Sequence, residues 1–296
     1  MDQKSFDNWR DDVMQHVFIA LAASTDLNCQ LVFKGAQVLS RRLGDAARQS
    51  YDIDANLRDE IQVGTVTAVE RRDNLQSAIQ GALEDYFRSA PSVRYMIERV
   101  TLKERPSKRG HPLGWNALVA NIVLRDNQSP GVKMPRLGID ISAPEQLGAH
   151  ATSTLIVGGY EVIAYTDVRI AAEKLRAFLT TLPTYRNKMQ KPGDAVRAKD
   201  LFDLRRILAT HPIAESAFWR KVGDEFRLAC ESRFVDCLGI ESFAEDFAVT
   251  RSTYANDKTI PETWSFDDVW EALERVVAQF AIWGLFPLSF PRTDSG

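Results

Sequence analysis

The 296-residue chain has few of the residues that build disulfide scaffolds, zinc clusters or membrane spans. Its three cysteines, Cys29, Cys230 and Cys237, are an odd number with no CxxC pair, which points to a reducing compartment and away from a zinc site. The four histidines, His16, His111, His150 and His211, show no ligand spacing and read as surface or core residues. The most apolar stretch near the C-terminus, Val276 to Phe290, is interrupted by Gln279 and Pro287 and is too short to span a bilayer. The first fifteen residues are polar and acidic, without the basic and apolar regions of a secretory signal, so the expected location is the cytoplasm with no membrane attachment. A net charge of −3 gives no global attraction to nucleic acid, so a polynucleotide partner would have to be held by a local patch. Internal repeats and low-complexity segments are absent. With 45% hydrophobic and 26% charged residues, the chain is ordinary for a globular protein of one large or two smaller domains.

The stretch LVFKGAQVLSRRLGDAARQSYDID, Leu31 to Asp54, carries the chemistry. Leu31 to Phe33 suit a buried strand; Gly35 breaks the run and leads into a short helical pattern through Val38, Leu39 and Leu43. Alternate side chains of an extended segment share a face, which puts Asp52 and Asp54 about 6 to 7 Å apart on one side with Ile53 in the core. Carboxylates that close repel each other unless a cation lies between them. Mg²⁺ takes oxygen ligands, commonly one or two carboxylates together with substrate phosphates. A glycine at the head of a helix admits a phosphate to the backbone, where unpaired N–H groups face the anion. Such triplets and turns also occur as plain surface features, and the motif alone leaves that reading open.

Further along, Trp9, Val13, Val17 and Leu21 predict a helix over Phe6 to Ala23, and Leu75, Ile79, Leu83 and Phe87 predict another. Strand-like runs follow at Val93 to Leu102, Trp115 to Leu124 and Leu137 to Ile141. The loop between the first two, Lys103 to Pro112, is basic: a solvated loop, or the best local contact for an RNA backbone. Asp140 interrupts the apolar strand LGIDI, either as an edge residue facing water or as a third carboxylate. Two short strands flank Gly158-Gly159 between Leu155 and Tyr165. In the helix that follows, Ala171, Leu175, Phe178 and Leu182 form the buried face with Lys174 at its border, free to snorkel. The segment PTYRNKMQKPGDAV reads as a flexible polar loop. Asp200 and Asp203, three apart, face one way on the next helix, as a salt-bridge network or as acceptors that orient Lys174 and Arg197. Helices are predicted over Ile213 to Phe234 and Phe266 to Trp283, joined by turn formers between Thr250 and Thr263.

KGAQVLS followed by RQSYDID resembles the first motif of the polymerase-β-like nucleotidyltransferases, most closely the AbiEii-type branch, whose pattern is Lys-Gly-Gly-Thr-x-Leu and then Arg-x-Ser-x-Asp-h-Asp, h being apolar. Lys34, Gly35, Leu39, Arg48, Ser50, Asp52 and Asp54 match, while Ala36 and Gln37 stand where the second glycine and the threonine are expected. The triplet at Asp140 resembles the second motif, and AEKLRAFL with RAKDLFDL resembles the third. The resemblance implies a metal site of Asp52, Asp54 and Asp140, catalytic support from Lys174 and Asp200, and nucleotide binding by Lys34, Gly35, Ser40, Arg48, Ser50, Lys174 and Arg197. It implies an α+β fold: a nucleotidyltransferase core of small mixed sheet and helices over residues 1–167, then a mainly helical region over 168–296.

The implied activity is Mg²⁺- or Mn²⁺-dependent transfer of NMP from an NTP. Related toxins of bacterial toxin–antitoxin and phage-defence systems, the mycobacterial MenT proteins, modify the 3′ end of tRNA, so a tRNA or other RNA acceptor and a cognate antitoxin are the expected partners. Nucleotidylation of a protein or small molecule, and a non-catalytic nucleotide-binding scaffold, are the alternatives. The departures at Ala36 and Gln37 favour the scaffold; three intact carboxylates oppose it.

Overall fold

The computed structural model describes residues 3–44, 50, 52–58, 68–90, 94–105, 117–128, 131, 134, 136–142, 144–190, 193 and 195–291. Helix α1 (Gln3–Ala23) buries Trp9, Val13, Val17 and Leu21, the predicted stripe, and the short α2 (Thr25–Gln30) is capped by the Ser24 hydroxyl. Then follow β1 (Leu31–Lys34), α3 (Gly35–Leu43), β2 (Asp52–Leu57) and α4 (Ala68–Ser89). On α4 the stripe Leu75, Ile79, Leu83 and Phe87 is buried. At roughly 1.5–3 kcal/mol per fully buried large apolar side chain, four such residues outweigh the few tenths of a kcal/mol that separate ordinary helix propensities. The stripe, not propensity, sets where α4 packs.

Five strands complete the sheet: β3 (Tyr95–Arg105), β4 (Ala117–Asp126), β5 (Leu137–Ser142), β6 (Thr152–Val157) and β7 (Tyr160–Tyr165). The strand order is β3-β4-β5-β2-β1-β7-β6, with β2–β5 and β1–β7 parallel and β1–β2, β3–β4 and β4–β5 antiparallel. One face is largely apolar: Phe33, Ile53, Ala55, Leu118, Ala120, Ile122, Ile139 and Ile141 are all buried on it. Period-two alternation puts the intervening polar residues on the other face.

Helices make up the rest: α5 (Asp167–Leu179), α6 (Pro183–Lys188), α7 (Lys199–Thr210), α8 (Ser216–Glu231), α9 (Ile240–Phe243), α10 (Phe247–Asn256) and α11 (Phe266–Ile282). Two segments read from sequence as loop or turn contain helix. Pro183 sits at the first turn of α6, where its fixed φ and missing N–H suit a helix start. In α10 the pattern is weak, but Tyr254 and Thr250 are buried and Tyr254 donates a hydrogen bond to the Trp264 carbonyl.

The chain divides into two compact units: residues 1–38, 50–144 and 153–164 hold the sheet with α1, α2 and α4, and residues 39–49, 145–152 and 165–296 hold the helices from α5 onward. Among the described residues no helix is long and apolar enough to cross a membrane.

The thiols follow their burial. Burial pushes Cys237 up to about 12 and raises Cys230 as well, whereas Cys29 is exposed. A thiol must lose its proton to react, so at pH 8 the two buried groups stay protonated and shielded. A native thiol titration is expected to count one reactive cysteine of the three, and three after denaturation; two or more in the native protein would contradict this packing.

Candidate active site

The sheet register assembles the first group of predicted residues. Asp54 on β2 is paired with Lys34 on β1 and with Asp140 on β5; Asp52, two residues earlier, is paired with Gly138. Residues directly opposite in a ladder share a face, so Lys34, Asp52, Asp54 and Asp140 lie on one side of the sheet, with Ile53 and Ile139 buried on the other. Asp140 does not occupy an edge. Its strand lies between β4 and β2, and the carboxylate is half-buried.

Two glycines fit under the carboxylates. Gly35, at φ +78, opens α3, and a Cβ there would fall 2.0 Å from Asp54 Oδ2. A Cβ at Gly138 would fall 2.9 Å from Asp52 Oδ1. No motif in the sequence marks Gly138, since an apolar strand with one glycine carries none; only the cross-strand register sets it opposite Asp52. Ser50 donates a hydrogen bond to the Asp52 carbonyl at 3.4 Å, steadying the entry to β2. Ser40 is half-buried on α3, and Arg48 lies outside the described residues.

Among the described residues no three acidic, histidine or cysteine side chains are gathered closely enough to hold a metal ion by themselves. The donor set still has the chemistry a hard divalent cation takes. Such an ion is held by one or two carboxylates plus water and substrate phosphate, and does not require an all-protein cage.

The remaining predicted residues form a second cluster in the helical unit. Lys174 Nζ on α5 is 3.0 Å from Asp200 Oδ1 and 2.6 Å from Asp203 Oδ2, both on α7 and both fully buried. Arg197 donates from Nε to Asp200 Oδ2 at 2.6 Å, its side chain 45% exposed. Lys174 is therefore buried instead of snorkelling at the border, because two carboxylates replace the water its ammonium would otherwise need. The three-residue spacing of Asp200 and Asp203 is what lets both reach it.

Gly35→Ala is expected to be far more damaging than Gly138→Ala. The first combines a left-handed backbone, which costs an L-residue about 1–2 kcal/mol, with expulsion of the Asp54 carboxylate. The second asks only that the exposed Asp52 side chain give way. Nucleotide binding followed by calorimetry should be lost in the first and weakened in the second; equal binding by parent and Gly35→Ala would show that the turn has no part in it.

A mixed sheet that opens with strand, glycine turn and helix, and pairs carboxylates across adjacent strands, defines a nucleotidyltransferase fold. The chain belongs to the family described as nucleotidyl transferase AbiEii toxin, type IV toxin–antitoxin system, whose profile matches residues 19–272. Among solved structures it is similar to JHP933 from Helicobacter pylori, at 15% identity over 94% of this chain and 92% of that one, with a TM-score of 0.50. An antigenic nucleotidyltransferase-like protein from Paracoccidioides brasiliensis aligns at 14% identity over 74% of this chain and 93% of that one, with a TM-score of 0.37. No curated protein matches the chain.

Proposed function

We propose that this protein transfers a nucleoside monophosphate from an NTP to an acceptor hydroxyl, with the 3′ end of a tRNA as the leading acceptor, and that it needs a divalent metal to do so. The observation that carries the reading is the direct pairing of Asp54 with Asp140, beside the glycine turn that opens α3. In the reaction the acceptor oxygen bonds to the α-phosphorus, the bond from that phosphorus to the bridging oxygen breaks, and pyrophosphate leaves with the electron pair. Held by Asp52, Asp54 and Asp140, Mg²⁺ or Mn²⁺ would supply neutralising charge for the triphosphate and the acceptor oxygen. Gly35 lets the Asp54 carboxylate lie against the backbone at the head of α3, where the first N–H groups of the helix would face a phosphate. Lys34, Ser40, Arg48 and Ser50 are assigned to the nucleotide by motif, as are Lys174 and Arg197, with Asp200 and Asp203 fixing the lysine. Such transfer is mostly positioning and charge stabilisation, which suits this set of residues.

Family membership implies a cognate antitoxin as partner and a toxin role in the cell. The test is transfer of label from each α-labelled NTP, with Mg²⁺ or Mn²⁺, onto total bacterial tRNA. Metal-dependent labelling identifies donor and acceptor together. Labelled protein or small molecules without labelled tRNA would refute the acceptor and keep the transferase; no label anywhere and no NTP binding would leave only a scaffold.

A further inference from the structure

The sheet face that carries the carboxylates continues across three more strand spacings and changes character. From Asp54 the register runs to Asp140 on β5, Val119 on β4 and Lys103 on β3; from Asp52 it runs to Gly138, Asn121 and Thr101. Lys103 thus stands on the same face as Asp54, about 14 Å away at about 4.8 Å per strand. Strand β3 is the edge of the sheet, and alternation brings Arg99, Thr101, Lys103 and Arg105 to this face, about 6.8 Å apart from one to the next. Arg99, Lys103 and Arg105 are exposed, and among the described residues none of the three makes an ion pair. Glu104 alternates to the other face opposite Leu118, and Glu98 sits at the bulge between Ile97 and Arg99. An open hollow of about 520 Å³ lies along this edge, lined by Arg72, Lys103, Glu104, Arg105, Val119 and Asn121 among others.

A row of cations, Lys103 and Arg105 about 6.8 Å apart and Arg99 about 13.6 Å beyond Lys103, on an otherwise acidic chain matches a line of phosphates better than one compact anion. Thr101, within the row, and Asn121, one strand nearer the carboxylates, offer the hydroxyl and amide groups that bind phosphate and sugar. We propose that the open face of β3 and β4 docks the phosphate backbone of a single-stranded polynucleotide acceptor, leading its terminal hydroxyl along the sheet toward Asp54 and Asp140. This rests on the transferase reading above and deepens it by locating the acceptor.

The test measures binding of a fluorescent single-stranded RNA, with a tRNA acceptor-end sequence, by anisotropy. The variants are Arg99→Ala/Lys103→Ala/Arg105→Ala and the charge-keeping Arg99→Lys/Arg105→Lys. All three side chains are exposed, so the fold should tolerate both, and NTP binding by the same preparations checks that it does. Each lost phosphate contact removes about 0.7 from the slope of log affinity against log salt between about 50 and 200 mM, so the triple alanine variant should lose about two units of slope and at least about tenfold in affinity at the lower salt. The lysine variant should keep both, and poly-glutamate should compete poorly. Unchanged affinity and slope in the triple variant, absence of RNA binding by the parent, or equal competition by poly-glutamate would overturn the docking proposal. Failure of the parent to bind NTP would instead overturn the transferase reading, and the RNA measurement would still stand on its own.

Discussion

Asp54→Ala is expected to reduce nucleotidyl transfer by at least about 10²–10³-fold, the scale on which loss of one preorganised electrostatic group acts, while leaving the protein as stable as the parent or slightly more so. The two halves of this prediction have one cause. Asp54 faces Asp140 directly across a parallel ladder, and like charges placed opposite each other oppose folding. Lys34 faces Asp54 from the other side and offsets part of that cost. Removing a half-buried carboxylate from such a rung relieves repulsion and leaves no cavity among apolar side chains, since Asp54 lies on the face opposite the buried Ile53 and Ile139. Sites that sacrifice stability for function behave in this way. The measurements are label transfer from the preferred NTP, metal-dependent NTP binding by calorimetry, and chemical denaturation of both proteins. Parent-like transfer by Asp54→Ala would remove the carboxylate rung from the mechanism. Loss of transfer with a large loss of stability would mean that the rung is structural.

The rung was half legible in the sequence, for a physical reason. Asp-Ile-Asp declares its own geometry, because within one strand the period of two is fixed by the backbone, and Ile53 is buried as that period requires. What local pattern does not carry is register. The pairing of Asp54 with Asp140 spans 86 positions, Gly138 has meaning only opposite Asp52, and the cations of β3 join the carboxylates only through β4 and β5. The helices show the same division. The four-residue stripes of α1 and α4 were readable because burial acts on the whole stripe at once. Helix α6 was hidden in a polar segment, its start marked by Pro183 and by little else. For Lys174 the neighbours expected from spacing, Asp200 and Asp203, are the ones it meets, but it is buried and not at the border. Burial of a lysine depends on two carboxylates 26 and 29 positions away closing around it, which no helical period encodes.

Arg169→Leu is expected to destabilise the helical unit by about 3–5 kcal/mol, the usual consequence of removing one partner from a buried ion pair. Arg169 is fully buried on α5, with guanidinium nitrogens 3.2 Å from Glu145, 3.1 Å from Glu173 and 3.1 Å from Glu225 on α8. Burial on its own would lower the pKa of this group, but the carboxylates around it, Glu173 foremost, reverse that and raise it. A raised cation pKa stabilises the fold at all pH values below the ordinary arginine range and is lost only above it, so Arg169 stays charged wherever the protein is usable. Arg176 and Arg233 also reach Glu145, so that carboxylate keeps partners when Arg169 is removed. Glu225 does not fare as well. Its other hydrogen bond comes from the Gly148 amide, at 3.2 Å, and it is 1% exposed. Its desolvated charge therefore dominates the cost, and Arg169→Leu/Glu225→Leu should recover much of the loss, since a matched apolar pair restores neutrality where a single change cannot. Urea denaturation of the parent, the single variant and the double variant measures this. A single variant within about 1 kcal/mol of the parent would show that the network contributes little, and a double variant no better than the single would place the cost in packing of the arginine stem instead of in the stranded carboxylate.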